Sequence, residues 1–198
     1  MAEAPELSKF ATEKGKNGRL LCRARGAPNV TFKWFRAGSE IFGDVTSKYS
    51  VREESIDPLT WQSELTVKDT ALKDYGPYGC NASNIWGFSE RQVILSATSK
   101  PDPPKDLKVL GSSYNSVTLS WKPGFNGGFQ QYFRIRLQKV GSEGYLFVDV
   151  FPSDPPATVF EVSDLQLDTV YSFSIMAFNK LGESTYTDDL VKMRTSSK

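Results

Sequence analysis

The stretch DYGPYGC, residues 74–80, decides the fold of the first half of the chain. Tyr78 and Cys80 lie two residues apart, so an extended strand places both side chains on the same face. Asp74 and Gly76 continue this spacing upstream, which gives the pattern Asp-x-Gly-x-Tyr-x-Cys. The alternation of large and small residues indicates a β-strand with one buried face.

Other segments of the first half alternate in the same way. RLLCRAR, residues 19–25, places Cys22 and Leu21 on opposite faces of a second predicted strand. Short alternating segments separated by turn residues favour an antiparallel β-sandwich. The residues predicted to face inward in two more strands are Val30, Phe32, Trp34, Leu65 and Val67.

The fingerprint of the immunoglobulin superfamily is a Cys…Trp…Cys spacing with a tyrosine shortly before the second cysteine. The sequence resembles this fingerprint at Cys22, Trp34, Tyr78 and Cys80. GAPNVTFKW, residues 26–34, also resembles the turn into strand C of intermediate-set (I-set) domains. The resemblance implies a Cys22–Cys80 disulfide between two sheets, with Trp34 packed on it. It also implies that the Tyr78 hydroxyl ties the corner before strand F. The alternative is a pair of buried free thiols in an intracellular domain.

The second half contains no cysteine and is also predicted to consist of strands. The segments at residues 116–121, 133–137 and 170–178 alternate apolar and polar positions, and we expect Arg134, Arg136, Ser172 and Ser174 to face outward. The residues expected to face inward are Val117, Leu119, Trp121, Phe133, Ile135, Leu137, Tyr171, Phe173, Ile175 and Ala177.

A cysteine-free sandwich with one tryptophan in its second strand resembles a fibronectin type III domain. Trp121, the pair Pro103–Pro104 with Leu107, and the segment from Leu165 to Tyr171 carry this resemblance. It implies that Leu165 and Tyr171 form the corner before strand F of this domain.

The fold class expected for the chain is therefore all-β, with two tandem antiparallel β-sandwiches. The segment TSKPDPP, residues 98–104, contains three prolines that cannot continue a central strand and that favour a stiff connector. We predict an immunoglobulin-like domain over residues 1–98, a proline-rich linker over 99–104, and a fibronectin type III domain over 105–198.

The pattern Ala-x-Asn-x-x-Gly occurs near the end of both halves, starting at Ala82 and at Ala177. Asparagine bonds locally to the backbone and glycine accepts positive φ, so the pattern is typical of a tight turn. We expect a hairpin loop of four or five residues at each position, and we interpret the repeat as turn chemistry rather than an active site.

The composition argues against an enzyme. The chain of 198 residues has no histidine and two cysteines, which excludes the common acid–base triads and most zinc sites. Its net charge is +1, so the chain lacks the basic excess of a nucleic-acid-binding protein. We expect no catalytic residues, no cofactor and no metal, and we interpret Asp188 and Asp189 as a solvated turn.

Two Asn-x-Ser/Thr triplets predict N-linked glycans, at Asn29 and at Asn81. Asn29 falls in a predicted exposed turn, and Asn81 follows Cys80 on the outward side of strand F. In the immunoglobulin fold, strand F lies in one sheet with strands C and G. A glycan at Asn81 would obstruct the outward face of this sheet, so this face is not expected to be the main docking site if Asn81 is glycosylated.

For four more side chains, a binding role and a structural role are both considered. Trp86 and Phe88 could anchor an interface, but we expect them to pack against a sheet edge or the neighbouring domain. Arg134 and Arg136 could bind an acidic partner, but we expect them to pair with nearby acids.

The order of the domains, together with the segments WKPGFNGG (121–128), FRIR (133–136) and FVDV (147–150), resembles the membrane-proximal end of nephrin-type adhesion receptors. That group also includes Sticks and stones, Hibris and Echinoid. The resemblance implies a fragment of an ectodomain on the extracellular side of the cell membrane, from a single-pass membrane protein.

In this reading the segment spaces distal domains from the membrane. The implied partners are other cell-surface immunoglobulin superfamily proteins, bound homophilically or heterophilically through domains outside this segment. The alternative is an intracellular structural array of immunoglobulin and fibronectin domains in a giant muscle protein, which WKPGFNGG also resembles.

Overall fold

The computed structural model describes residues 8–44 and 47–197. These residues form sixteen strands and one short 3-10 turn, Leu72–Asp74, which confirms the all-β fold. They contain no helix long and apolar enough to cross a membrane. The chain divides into two compact units, Met1–Thr98 and Ser99–Lys198.

The first unit is an immunoglobulin-like sandwich. In chain order its described strands are β1 (Ser8–Thr12), β2 (Gly18–Arg25), β3 (Thr31–Arg36), β4 (Ser39–Ile41), β5 (Tyr49–Asp57), β6 (Thr60–Val67), β7 (Gly76–Asn84) and β8 (Gly87–Ala97). One sheet has the order β1-β8-β7-β3-β4, and the other has the order β2-β6-β5. β1 runs parallel to β8, and the other pairs are antiparallel.

The core of this unit follows the predicted alternation. Leu65 and Val67 on β6 are buried, and so are Tyr78 and Cys80 on β7. On β2, Cys22 is buried while Leu21 lies on the opposite, partly exposed face. The inward residues of β3 and its entry turn, Val30, Phe32 and Trp34, are also buried.

The second unit is also a sandwich of two sheets. Its described strands are β9 (Lys105–Ser112), β10 (Val117–Lys122), β11 (Tyr132–Lys139), β12 (Leu146–Val150), β13 (Val159–Val162), β14 (Val170–Asn179), β15 (Gly182–Glu183) and β16 (Val191–Arg194). One sheet has the order β13-β10-β9. The other has the order β12-β11-β14-β15, and β16 also pairs with β14.

The inward residues predicted for the second unit all lie in one buried cluster, which contains Trp121 and Tyr171. Ser174 differs from the other residues expected to face outward. Ser174 lies on the outer face of β14, but it is buried. The reason is that Arg136 on the neighbouring strand β11 covers it and donates an Nε hydrogen bond of 3.1 Å to its hydroxyl.

Both Ala-x-Asn-x-x-Gly segments form hairpin turns, but the loops have two residues rather than the expected four or five. Asn84 pairs with Gly87, and Asn179 pairs with Gly182. In each turn the asparagine Oδ1 accepts the backbone N–H two residues later, at 2.9 Å in the first turn and 2.8 Å in the second. The repeated pattern is therefore a turn motif, as predicted.

Asn179 has a further role at the start of the second unit. It is buried, and its Nδ2 donates to the carbonyl oxygens of Ser99 at 2.8 Å and Asn126 at 2.9 Å. The backbone N–H of Asp102 also donates to the Phe125 carbonyl at 2.8 Å. These bonds attach part of the proposed linker, residues 99–104, to the second unit.

Candidate interaction surfaces

The two sheets of the first unit are joined covalently. A disulfide links Cys22 on β2 to Cys80 on β7, with a Cα–Cα distance of 6.5 Å. Trp34 on β3 belongs to the same buried cluster as both cysteines. Its indole Nε1 donates 2.9 Å to the hydroxyl of Ser63 on the opposite sheet. The disulfide and the tryptophan thus hold the sandwich together at its centre.

The corner before β7 is fixed by Asp74 and Tyr78. The Tyr78 hydroxyl donates 2.8 Å to the Asp74 carbonyl oxygen. Burial raises the pKa of Tyr78, so the hydroxyl stays protonated and available as a donor. The Asp74 carboxylate is buried and accepts the Ala71 N–H and the Lys48 ammonium, both at 2.7 Å.

These contacts determine the ionisation of Asp74. Burial acts to raise the pKa of Asp74, but the bonds from Lys48 and Ala71 together outweigh it. The net effect lowers the pKa of Asp74, so this buried carboxylate stays charged and paired.

Arg36 covers this corner, a role that sequence reasoning missed. Its guanidinium lies 4.5 Å from the centre of the Tyr78 ring, a cation–π contact. It also donates to the carbonyl oxygens of Pro77 at 2.6 Å, Tyr75 at 2.8 Å and Lys73 at 3.1 Å.

Gly76 of the Asp-x-Gly-x-Tyr-x-Cys pattern lies against the same guanidinium. Gly76 has a φ of +124°, a backbone conformation that favours glycine. A Cβ there would lie 3.2 Å from Arg36 Nη1.

The second unit has a corner with the opposite hydrogen-bond direction. The Tyr171 hydroxyl accepts the backbone N–H of Gln166 at 3.1 Å, next to buried Leu165. Trp121 packs against Phe133, with ring centres 5.3 Å apart. Tyr171 and Trp121 are both buried. They take the core positions that the fibronectin resemblance implies.

Both proposed glycan sites lie in the first unit. Asn29 is exposed in the turn between β2 and β3. Asn81 is partly exposed on β7, and its Nδ2 donates 3.2 Å to Glu90 on β8. Asn81 also lines a groove of about 360 Å³ with Phe35 and Arg91, on the outer face of the larger sheet. A glycan at Asn81 would obstruct access to this groove.

Apolar side chains are exposed at one end of the first unit. Trp86 and Phe88, at the turn between β7 and β8, are 79% and 73% exposed. Trp86 and Phe88 therefore do not pack against a sheet edge of the first unit, and packing against the neighbouring domain stays a prediction. Trp86 and Phe88 also line a groove of about 280 Å³ with Val30 and Ala82.

The outer face of the larger sheet of the second unit carries two arginines among aromatic rings. Arg134 pairs with Asp149 on β12, at 2.5 Å and 3.0 Å, as predicted. The hydrogen bond from Arg134 lowers the pKa of Asp149. Arg136 instead lies between the rings of Tyr145 and Tyr186, at 4.5 Å and 4.1 Å from their centres. Among the described residues, the expectation that Arg136 pairs with a nearby acid is therefore wrong, because its guanidinium stacks on two aromatic rings.

Metal-binding geometry is not found in the described part of the chain, where no three histidine, cysteine, aspartate or glutamate residues group closely enough to hold an ion. The arrangements described above are instead structural anchors and exposed protein surfaces, and such surfaces can bind other proteins through aromatic, arginine and backbone groups.

Comparison with known families agrees with this fold. The immunoglobulin I-set domain model matches residues 4–96, and the fibronectin type III domain model matches residues 102–192. A crystal structure of titin domains is 24% identical, with a TM-score of 0.45, and the match covers 98% of this chain and 63% of that chain.

The sequence is also similar to adhesion proteins. It is 37% identical over 179 residues to nephrin of Mus musculus and to nephrin of Homo sapiens, and each match covers 90% of this chain. It is 29% identical over 185 residues to cell adhesion molecule Dscam2 of Drosophila melanogaster, with 90% of this chain and 9% of that protein covered. The chain spans 14% of the length of these nephrins. The resemblance to nephrin-type receptors is confirmed, and the chain consists of a domain of the immunoglobulin I-set family followed by a domain of the fibronectin type III family.

Proposed function

We propose that this chain is an extracellular segment of a cell-surface adhesion receptor. The observation that carries the proposal is the similarity to nephrin, which extends across 90% of the chain and therefore includes both domains and their junction. A match confined to one domain would indicate only a shared fold, since the same folds serve many functions.

The disulfide and the glycan sites of the first unit support an extracellular location. A disulfide between Cys22 and Cys80 persists in oxidising surroundings, such as the secretory pathway and the cell surface. Asn29 is exposed and Asn81 is partly exposed, so a glycan at either position would extend into solvent.

Within such a receptor, we assign the two domains a role as a structural spacer and protein-interaction module. Both cores are fixed by buried aromatic anchors, Trp34 and Tyr78 in one unit and Trp121 and Tyr171 in the other. Such domains keep their shape when they hold binding sites away from a membrane. The partners are other cell-surface immunoglobulin superfamily proteins, bound through domains outside this segment, and the role requires no catalysis and no cofactor.

Labelling of intact cells tests this proposal. An antibody raised against the folded chain should stain intact cells of the source tissue, and a membrane-impermeant biotin reagent should label the protein. Staining that appears only after permeabilisation would contradict the proposal and favour the intracellular array. An antibody against a cytosolic protein serves as the control for membrane integrity.

A further inference from the structure

Asn81 lies on the outer face of the larger sheet of the first unit, on the middle strand of three neighbours. Opposite Asn81 are Lys33 on β3 and Glu90 on β8. The next outward position on β7 is Gly79, which lies opposite Phe35 on β3 and Gln92 on β8. Asn81 is therefore next to a row of three positions whose central residue has no side chain.

The missing side chain at Gly79 leaves a groove in this face. The backbone of Gly79 does not have a positive φ, so the conformation does not require glycine. Among the described residues, a Cβ at this position would contact only the Cβ of Phe35, at an ordinary distance of 3.5 Å. A larger residue would therefore fit the strand. Glycine instead leaves open the groove of about 360 Å³ that Phe35 and Asn81 line.

The groove combines an aromatic side with a polar side. Phe35 is partly exposed and does not belong to the buried core cluster of the first unit. Glu90, Arg91 and Gln92 line the other side, and their carboxylate, guanidinium and amide groups can accept or donate hydrogen bonds. An apolar surface beside a few polar groups is typical of small-molecule sites, whose volumes begin at about 300 Å³.

A pyranose sugar has chemistry that complements this groove. Its axial C–H groups form an apolar face that can pack on an aromatic ring, and its hydroxyl groups form hydrogen bonds at the edge. An N-linked glycan begins with such a sugar, N-acetylglucosamine.

Attachment of this sugar leaves the polar contact of Asn81 possible. The bond from sugar C1 to the diphosphate of the lipid-linked donor breaks, a bond from C1 to Asn81 Nδ2 forms, and one Nδ2 hydrogen leaves as a proton. Nδ2 keeps its other hydrogen, which can still be donated to Glu90, now 3.2 Å away.

We propose that this groove is a binding subsite for the first N-acetylglucosamine of a glycan on Asn81. The sugar packs its C–H face on Phe35, above Gly79, and the rest of the glycan extends into solvent. The occupant is held at a high effective concentration, because the residue that carries it lines the groove. The inference rests on the proposed function, since N-linked glycans are attached in the secretory pathway.

Two neighbouring features of the first unit serve as controls. Asn29 is the other predicted glycan site, but it is exposed in a turn and does not line this groove. Phe88 is a second ring near Asn81, opposite Ser83 on the other side of it, but it lines a different groove. A sugar on Asn29 and the ring of Phe88 are therefore outside the proposed contact.

The test uses the whole chain secreted from cultured eukaryotic cells, where glycosylation does not depend on the native location of the protein. The inference can therefore fail while the receptor proposal holds, and the reverse is also true. An endoglycosidase trims each glycan to its first sugar, and nuclear Overhauser effects then report which protons are in contact with that sugar.

We expect contacts between the sugar on Asn81 and the ring of Phe35, and no ring contacts for the sugar on Asn29. Gly79→Val fills the groove and should remove the contacts with Phe35. An Asn81 that stays unmodified in the secreted protein would overturn the proposal. So would a sugar on Asn81 that does not contact Phe35.

Release of the untrimmed glycan by a peptide N-glycosidase, from the folded protein, measures how far the groove protects the attachment. Phe35→Ala should speed release from Asn81 about two- to tenfold, the effect of one ring contact, and Phe88→Ala should leave it unchanged. Circular dichroism with thermal melting checks that each variant is folded. Equal rates for the native chain and Phe35→Ala, or equal acceleration by Phe88→Ala, would contradict the proposed contact.

Discussion

The hydroxyl of Tyr78 donates a 2.8 Å hydrogen bond to the backbone carbonyl oxygen of Asp74, four residues earlier in the chain. In the second unit the Tyr171 hydroxyl accepts the N–H of Gln166 instead. The two sandwiches therefore fix equivalent corners with the same side chain and opposite donor direction. The first corner needs a protonated hydroxyl, and the second uses only its lone pair.

Replacement of Tyr78 by Phe should destabilise the first unit by about 1–2 kcal/mol, because the Asp74 carbonyl loses a buried donor. Hydrogen exchange of the whole chain, followed by mass spectrometry, reports the free energy of unfolding of each unit separately. Tyr171→Phe is the matched control and should weaken only the second unit. A Tyr78→Phe variant that exchanges like the native chain would contradict the role of the hydroxyl.

Replacement of Arg36 by Ala should lower the free energy of unfolding of the first unit by about 2–3 kcal/mol. The variant removes the donor of three carbonyl bonds and the cation–π contact with Tyr78. Denaturant unfolding measures the loss. Arg52→Ala, at an exposed position of β5, is the control and should change stability by less than about 0.5 kcal/mol. Equal effects of the two variants would show that Arg36 does not fix the corner.

Acid should weaken the first unit through Asp74. The folded state lowers the pKa of Asp74. The charged carboxylate therefore stabilises the first unit above the unfolded pKa of about 4, and this stabilisation is lost as the pH falls through the folded pKa. The melting temperature of the native chain should therefore fall more steeply below about pH 4 than that of Asp74→Asn.

The control for this experiment is Asp188→Asn, a change at an exposed aspartate of the second unit. Its melting temperature should follow the native pH dependence. If Asp74→Asn shows the native slope as well, the ion pair with Lys48 contributes nothing to acid stability.

Removal of the disulfide should destabilise only the first unit. The bridge joins residues separated by 58 positions, for which the chain-entropy model gives about 4 kcal/mol. The double variant Cys22→Ala with Cys80→Ala should show this loss in hydrogen exchange of the first unit. The second unit, which has no cysteine, serves as the internal control. Equal losses in both units would mean that they do not unfold independently.

The sequence patterns predicted the cores well because a buried strand imposes a two-residue period on its side chains. Cys22, Trp34 and Tyr78 follow that period and also match a family fingerprint. The same period placed Ser174 on the outer face, but it carries no information about burial beneath the long side chain of Arg136.

Contacts between distant positions could not be predicted in this way. Arg36 reaches carbonyls near Asp74 from another strand, and no local pattern marks it. Asn179 was recognised as a turn residue, but its bond to Ser99 depends on where the start of the second unit lies in space. The exposure of Trp86 depends on a two-residue loop that was expected to be longer.

Peptide mass mapping of the protein from its native tissue, without reduction and before deglycosylation, tests the extracellular assignment most directly. An extracellular receptor segment should yield one disulfide-linked peptide pair containing Cys22 and Cys80, and a glycan on Asn29 or Asn81. Two free thiols together with unmodified asparagines would contradict the assignment and place the chain inside the cell.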